Sequence, residues 1–379
     1  MPQFEILECS NKAVIKVLGV GGGGNNAVEH MLTSQLEGVE FICANTDAQV
    51  LRDSEVKTTL QFGDEVTNGL GAGADPHIGR QAAVEDRERI RTAVKGADMV
   101  FITAGMGGGT GTGAAPIIAE IAKEEGILVV AVVTRPFSHE GKARAKVAEL
   151  GIQELQNHVD SLITIPNDKL ISVLGEDASL MDAFSAANNV LLNAVKGISE
   201  IINCRGLINV DFADVRTVMS EMGMAMMGSG LASGENRAKK AAQAAVHSPL
   251  MEDVDLNGAK GVLVNVTAGS NLKLQEFHEV GYTVQEFASE HANVVLGTVI
   301  DDTIDDEIRV TVVATGLGTD RLGEGNIAAN RSKEAKDTES PSRSKKSNST
   351  TPTVIQGSVE LDPEQVVLDI PAFLRRQAD

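Results

Sequence analysis

The chain has 379 residues, 42% of them hydrophobic, which suits about two domains with buried cores and excludes a wholly disordered protein. Its 33 Lys and Arg against 53 Asp and Glu give a net charge of −20, which argues against binding nucleic acid or anionic lipid through basic surfaces. The three cysteines, Cys9, Cys43 and Cys204, form no CxxC pair, so we expect neither a disulfide framework nor a metal site. No apolar stretch reaches the ~20 residues of a membrane span, and we expect a soluble cytoplasmic protein.

The first half of the chain alternates strand and helix patterns. Strands are predicted at 13–20, 39–44, 98–104, 127–134 and 161–165, and helices at 27–33, within 79–96 and from Pro116. Strands that alternate with helices predict a parallel, doubly wound α/β sheet, and we assign a Rossmann-like domain to residues 12–178.

The pattern then changes to one long helix at 179–204, which is apolar on most faces and is predicted to be buried between two bodies. Alternating strands at 261–267 and 307–313, with helical stretches between them, predict a second, smaller α+β domain at 205–317. Five methionines crowd one stretch of it, and we interpret them as adaptable core filler: Met219, Met222, Met224, Met226 and Met227.

The composition changes again after residue 317. Residues 318–364 contain no aromatic residue and are rich in Ser, Thr, Lys, Glu and Asn, so they are predicted to be a disordered tether. Residues 365–379 regain apolar side chains and are interpreted as a docking peptide. Within them, Ile370, Phe373 and Leu374 would share one face of a short helix.

Two glycine clusters each follow a predicted strand and precede a predicted helix, an arrangement that forms an anion cradle from backbone N–H groups. The first also fits the GxGxxG pattern of NAD-binding domains at Gly19, Gly21 and Gly24, although many glycine runs satisfy that pattern. The second, at 105–113, adds two threonine hydroxyls, and Pro116 after it predicts the first turn of a helix. Two such loops suit a triphosphate better than a dinucleotide, and the absence of GxxxxGK[ST] excludes a Walker lysine.

The run GGGTGTG at 107–113 resembles the phosphate-binding signature of the tubulin-like GTPases. GGGGNN at 21–26, NVDFADVRTVMSEMG at 209–223 and DIPAFLRRQAD at 369–379 resemble the bacterial cell-division branch of that family. The resemblance covers essentially the whole chain. It implies a self-assembling GTPase that binds GTP or GDP with Mg²⁺ and polymerises head-to-tail into the filaments of the division ring at mid-cell.

The same resemblance implies which residues bind the nucleotide. The loop residues are Gly22, Gly23, Gly24, Asn25, Asn26, Asn45, Gly107, Gly108, Gly109, Thr110 and Gly111. Glu140 and Arg144 contact the ribose and phosphate region. Phe184 and one of the adjacent Asn188 and Asn189 engage guanine. Phe184 lies one helical turn before Asn188, on the same face.

The acidic pair Asp211 and Asp214 follows the long helix. One reading makes them an N-cap and a first-turn acid of the next helix. The long helix spans ~37 Å, so the two carboxylates cannot reach a nucleotide bound at its start in their own subunit. They either cap only, or act on the nucleotide of a neighbouring subunit; the resemblance implies the second role, with Asn209 beside them, and the two roles are compatible.

The resemblance also implies that residues 366–379 bind membrane-tethering and regulatory division proteins such as FtsA and ZipA, with neither nucleic-acid binding nor membrane insertion. Two other functions stay open from the residues alone. One is an NAD(P)-dependent oxidoreductase that uses the first glycine loop, which would leave the second loop unexplained. The other is a non-catalytic scaffold that binds nucleotide only for stability.

Overall fold

The computed structural model describes residues 12–317, apart from 35, 175–178, 205, 222, 252–257, 290 and 302. These residues all lie in one compact unit, Met1–Ile327. The predicted tether and docking peptide, Cys9 and Met222 lie outside the described residues. None of the described helices is long and apolar enough to cross a membrane.

The strands are β1 Ile15–Val20, β2 Val39–Asn45, β3 Thr58–Gln61, β4 Met99–Gly105, β5 Leu128–Arg135, β6 Ser161–Pro166, β7 Met224–Ser233, β8 Gly261–Ala268, β9 Asn293–Ile300 and β10 Glu307–Leu317. The helices are α1 Gly21–Leu32, α2 Ala48–Arg52, α3 Asp64–Thr67, α4 Pro76–Glu85, α5 Arg87–Val94, α6 Thr110–Glu124, α7 Lys142–Gln156, α8 Asn167–Leu174, α9 Leu180–Asn203, α10 Phe212–Met219, α11 Arg237–Val246 and α12 Leu274–Gln285. A short 3₁₀ helix at Ser138–Glu140 precedes α7.

The strands form one sheet in the order β3-β2-β1-β4-β5-β6-β7-β10-β8-β9. Strands β1 to β6 pair in parallel. Strand β7 pairs in parallel with β6 over two residues only, and antiparallel pairs then join β7, β10 and β8. The predicted fold class, a doubly wound α/β sheet followed by a smaller α+β region, is confirmed. The exact domain bounds stay a prediction.

The parallel half is buried on both faces, which explains its nearly continuous apolar strands. Strand β4, MVFITAG, and strand β5, LVVAVVTR, are buried along most of their length. One core lies between the sheet and helices α1, α9 and α10. A second core lies on the opposite face, under α4, α5, α6 and α7.

A third core joins β8 and β10 to α11 and α12. Strand β7 reaches it through two glycines: a Cβ atom at Gly228 or Gly230 would collide with backbone carbonyl oxygens of α11. Met227 is buried and Met224 and Met226 pack against this third core, which agrees with their interpretation as core filler.

Two predicted helix starts are wrong. Helix α6 begins at Thr110 and contains Pro116 in its interior, and α1 begins at Gly21 rather than Ala27. In both cases the glycine cluster itself forms the first turns of the helix. The charged stretch at 79–96 forms two helices, divided at Asp86, whose carboxylate accepts the N–H of Gly63 at 2.7 Å.

The long central helix is confirmed. Ser179 is its N-cap: its hydroxyl accepts the N–H of Asp182 at 3.2 Å, and the Asp182 carboxylate accepts the N–H of Ser179 at 3.0 Å. This reciprocal capping box fixes where the helix begins.

Candidate nucleotide site

A cavity opens at the carboxyl edge of the parallel sheet, where β1 and β4 lead into α1 and α6. Ligands of open α/β sheets bind at this edge. The cavity is lined by six of the predicted site residues: Gly23, Asn26, Glu140, Arg144, Phe184 and Asn188.

Sequence reasoning missed other lining residues. Thr134 lies at the end of β5, Pro136 directly follows that strand, and Asn167 directly follows β6. Gly105 and Met106, at and just after the end of β4, belong to the second glycine cluster but were not among its predicted contacts. Their position at the ends of neighbouring parallel strands is the signal that could have identified them. The Asn167 side chain is buried, and its Oδ1 atom has no hydrogen-bond partner among the described residues.

The two glycine loops pack against each other, backbone to backbone. A Cβ atom at Gly21 would lie 2.8 Å from the N atom of Gly111, and one at Gly23 would lie 3.2 Å from Cα of Gly105. Gly21 also has a φ of 71°, which favours glycine. Only residues without side chains permit this approach, so the two predicted loops form one cradle.

Gly22 and Gly108 differ from the other predicted loop residues. A Cβ atom at either position would have no neighbour within 4 Å, so both face open space. A Cβ atom at Gly109, in contrast, would lie 2.9 Å from the Ala72 Cβ atom and from the Asp75 N atom. The backbone at Gly22 and Gly108 is therefore open to approach, although neither residue lines the cavity itself.

Side chains around the cradle hold its shape. The Gly107 N–H donates to the Thr112 hydroxyl at 2.8 Å, and the hydroxyls of Thr46 and Thr110 are 2.7 Å apart. The Thr46 contact ties the loop after β2 to the second glycine cluster.

Asn25 and Asn45 are buried beneath the cradle rather than on the cavity wall. With its amide oriented to satisfy both ends, Asn25 donates to the carbonyl of Gly19 at 2.8 Å and accepts from Asn45 Nδ2 at 3.3 Å. Asn45 Oδ1 in turn accepts the Thr46 N–H at 2.9 Å. The structure thus places both asparagines where they shape the loops.

The first turns of α1 and α6 contain no acidic residue. Their free N–H groups and the positive ends of both helix dipoles therefore remain available to an anion.

The opposite wall of the cavity carries the aromatic and polar side chains. Phe184 packs edge-on against Phe137, with ring centroids 5.5 Å apart. The Glu140 carboxylate accepts the Phe137 N–H at 2.8 Å and pairs with Arg144 at 3.2 Å. An exposed flat ring next to a carboxylate–guanidinium pair suits a heterocyclic base attached to a sugar.

The structure distinguishes the two adjacent asparagines of α9. Asn188 lines the cavity. Asn189 turns away from it, with its Oδ1 atom 2.7 Å from Nε2 of His30, and lines a different cavity beyond α9.

Asp211 and Asp214 lie beyond the other end of α9. Asp211 occupies the N-cap position of α10, where its carbonyl accepts the Asp214 N–H at 3.1 Å, but its side chain makes no capping bond. Both carboxylates are exposed, and neither has a hydrogen-bond or ion-pair partner within the described part of the chain. The predicted cap is therefore correct for the backbone of Asp211 and wrong for its carboxylate.

Asn209 supports the turn before these acids, because its Oδ1 atom accepts the Gly206 N–H at 2.9 Å. Helix α9 has 24 residues and spans ~36 Å, so the structure does not bring this cluster together with the cavity.

Known proteins match this chain along almost its whole length. Residues 14–175 match the model of the Tubulin/FtsZ family, GTPase domain, and residues 223–318 match that of the FtsZ family, C-terminal domain. Cell division protein FtsZ of Buchnera aphidicola subsp. Schizaphis graminum is 58% identical, over 99% of this chain and 100% of the relative. That of Coxiella burnetii is 59% identical, over 98% and 99%. The chain belongs to the FtsZ family.

Solved structures agree with this membership. An empty FtsZ dimer from M. jannaschii is 46% identical and has a TM-score of 0.78, covering 82% of this chain and 90% of that chain. The GDP-bound monomer of CetZ1 from Haloferax volcanii shares the fold at 19% identity, with a TM-score of 0.71 over 83% and 99%.

Membership of the FtsZ family makes the chain a cell-division GTPase that binds GTP and GDP with Mg²⁺. The oxidoreductase and the non-catalytic scaffold are thereby excluded. The cavity fits a guanine nucleotide, because it combines an open glycine cradle with a buried amide oxygen on Asn167 that no described residue partners. No cluster of three or more acidic, His or Cys side chains suited to a metal occurs in the described residues. Mg²⁺ in nucleotide sites is bound largely through the substrate phosphates and water.

Proposed function

We propose that this GTPase assembles head-to-tail at the mid-cell division site and hydrolyses GTP at the contact between subunits. One subunit binds GTP in the cavity at the start of α9, and Asp211 and Asp214 of the next subunit act on it. The observation that carries the proposal is the pair of exposed carboxylates, without a partner among the described residues, at the far end of a ~36 Å helix. Two acids so far from the cavity can serve only a nucleotide outside their own subunit.

Beside the cavity, the open positions Gly22 and Gly108 approach the phosphates, and the other predicted loop residues hold the cradle in shape. Glu140 and Arg144 contact the ribose region. Phe184 stacks on guanine, and Asn188, rather than Asn189, reads its edge.

The chemistry of phosphoryl transfer fits a site in which one subunit binds the nucleotide and the next supplies the carboxylates. Its loose transition state needs positioning and neutralisation of charge more than covalent help. Bound Mg²⁺ would neutralise charge on the phosphates. Asp211 and Asp214 would orient the attacking water, and Asn209 would keep their loop in place.

Exposed apolar side chains on the cavity side and on the carboxylate side of the folded protein support a contact between subunits. On the cavity side, Leu70 is 83% exposed and Met181, in the first turn of α9, is 81% exposed. On the carboxylate side, Leu207 is 70% exposed. Because these two surfaces differ, their contact is heterologous, and repetition of it without closure forms a filament. The similar M. jannaschii structure, an FtsZ dimer, is consistent with self-association.

The test is GTP turnover per subunit across a series of protein concentrations. We expect turnover to rise steeply with concentration, because each site is completed by a neighbour. Asp211→Ala should bind GTP normally and hydrolyse none at any concentration. A flat specific activity from dilute to concentrated wild-type protein would contradict catalysis between subunits.

We further propose that residues 366–379 bind membrane-tethering and regulatory division proteins such as FtsA and ZipA. The support is the sequence pattern, in which Ile370, Phe373 and Leu374 are spaced as one face of a helix that inserts into a groove. In the same concentration series, a chain without residues 366–379 should keep the wild-type turnover curve. In a separate binding measurement with the purified partners, it should no longer bind them. Loss of turnover together with partner binding would argue against a separate docking peptide.

A further inference from the structure

Helix α1 contacts both ends of the candidate site. Its first turn, GGGG, forms part of the phosphate cradle. Its last turns pack against α9, where Met31 shares a buried core with Ala187 and Leu191. One rigid helix of 12 residues therefore connects the phosphate end of the cavity to the helix that carries Phe184 and Asn188.

The base-facing half of α9 is packed against the body of the protein on one side, where Ala183, Ala187 and Leu191 are buried. Phe184 and Met181 are exposed, and Phe184 touches the body of the protein through the ring of Phe137. Across residues 180–192, one side-chain hydrogen bond between described residues reaches another helix. It joins His30 Nε2 on α1 to Asn189 Oδ1 at 2.7 Å.

Because Asn188 and Asn189 are adjacent on one helix, the bond to Asn189 also affects the orientation of the Asn188 side chain. Successive residues of an α-helix are rotated by about 100° around its axis. Holding Asn189 against α1 therefore fixes the direction in which Asn188 points, which is into the cavity. Without the bond, the side of α9 that carries Asn188 and Asn189 loses its polar contact with α1, and Asn188 is held less firmly in its orientation toward the cavity.

We propose that His30 is a positioning residue for guanine recognition: by binding Asn189, it sets the rotation of α9 at which Asn188 faces the base. The inference rests on the proposed role of Asn188 as the residue that reads guanine. His30 itself does not line the cavity. The bond should therefore affect the choice of base and leave the phosphate contacts of the cradle unchanged.

The test measures the affinities for GDP and for ADP by equilibrium dialysis, at protein concentrations that keep the chain monomeric. His30→Ala and Asn189→Ala should each weaken GDP binding about fivefold, or ~1 kcal/mol, and leave ADP binding unchanged. The double variant should be no weaker than either single variant, because both remove the same bond. His30→Gln, which keeps an N–H donor at similar reach, should restore most of the GDP affinity. His158→Ala, at a histidine beyond the end of α7, is the matched control and should change nothing.

Each outcome has one meaning. A wild-type preference for GDP that persists unchanged in His30→Ala would overturn the inference while leaving the proposed function intact. An equal loss of GDP and ADP affinity would also overturn it, because a general structural defect weakens both. A wild-type chain with no preference for GDP over ADP would instead overturn the proposed guanine site, and the positioning role with it.

Discussion

The glycines of the phosphate cradle have different structural roles, which follow from what surrounds each of them. Gly21 and Gly23 let the two loops touch, and Gly109 lets the second loop pack against Ala72 and Asp75. Gly108 has open space where its side chain would be. A substitution at Gly109 should therefore disturb the loop at 72–75, whereas one at Gly108 should act on the bound nucleotide.

Gly108→Asp should fold normally and bind GDP poorly, because its carboxylate would lie where the phosphates bind. Gly108→Asn is the matched control, with nearly the same volume and no charge. We expect the Asp variant to bind GDP about ten- to a hundredfold more weakly than the Asn variant, as repulsion between like charges implies. Equal affinities in a titration with GDP would show that Gly108 does not face a phosphate.

At the scale of elements, a buried cation, Arg237, connects helices in the second half of the chain. The Arg237 side chain, at the start of α11, is 4% exposed and donates to both carboxylate oxygens of Glu276 in α12, at 2.7 and 3.0 Å. It also donates to Asp306 at 3.0 Å and to Asn271 at 3.1 Å. This network connects both helices to the loop before β10.

Arg237→Ala should lower the free energy of unfolding by about 3 kcal/mol, because it leaves Glu276 partly buried and without its cation. The matched control is Arg91→Ala. Arg91 also pairs with several carboxylates, Glu88, Glu124 and Glu125, but on the surface, so its loss should cost much less. Urea unfolding of both variants measures the difference. Equal losses would show that burial of Arg237 contributes nothing.

The same network predicts a dependence of stability on pH. Hydrogen bonding to Arg237 lowers the pKa of Glu276 below its ordinary value of 4.5. Because the pKa is lower in the folded state, the stabilisation is fully present above pH 4.5 and is lost as the pH falls through the depressed value. Arg237→Ala should remove this part of the acid sensitivity, so its deficit relative to wild type should shrink in acid.

At the scale of the whole molecule, the sequence predicted the parallel half of the fold best. Strands β4 and β5 are continuous apolar runs because they are buried on both faces, and such runs are visible in any sequence. Strand β7, which contains MGSG, was missed, because its glycines are needed for contact with α11 and weaken the strand pattern. Helix starts at the glycine clusters were also missed, because helix propensity disfavours glycine and the packing of the two loops overrides it.

The residues of the candidate site also fall into two groups, those that local sequence patterns reveal and those that only the fold reveals. Glycine clusters and Phe184 could be found from local spacing and family resemblance. Asn167, Thr134 and Pro136 belong to no local motif, and to find them one must first know the order of the strands, which brings the ends of β5 and β6 to the cavity. The choice between Asn188 and Asn189 also needed the position of α1, because His30 on that helix forms a hydrogen bond with Asn189.

Mixing two inactive variants tests catalysis between subunits most directly. Asp211→Ala keeps the cavity and loses an acid, whereas Gly108→Asp keeps both acids and loses the nucleotide. Neither should hydrolyse GTP alone, and we predict that an equimolar mixture regains GTP turnover, because the acids of the second variant complete the cavity of the first. A mixture of Asp211→Ala with the double variant, Asp211→Ala and Gly108→Asp, should stay inactive. An inactive mixture of the two single variants, with GTP still bound to Asp211→Ala and contact between the subunits demonstrated, would contradict the account.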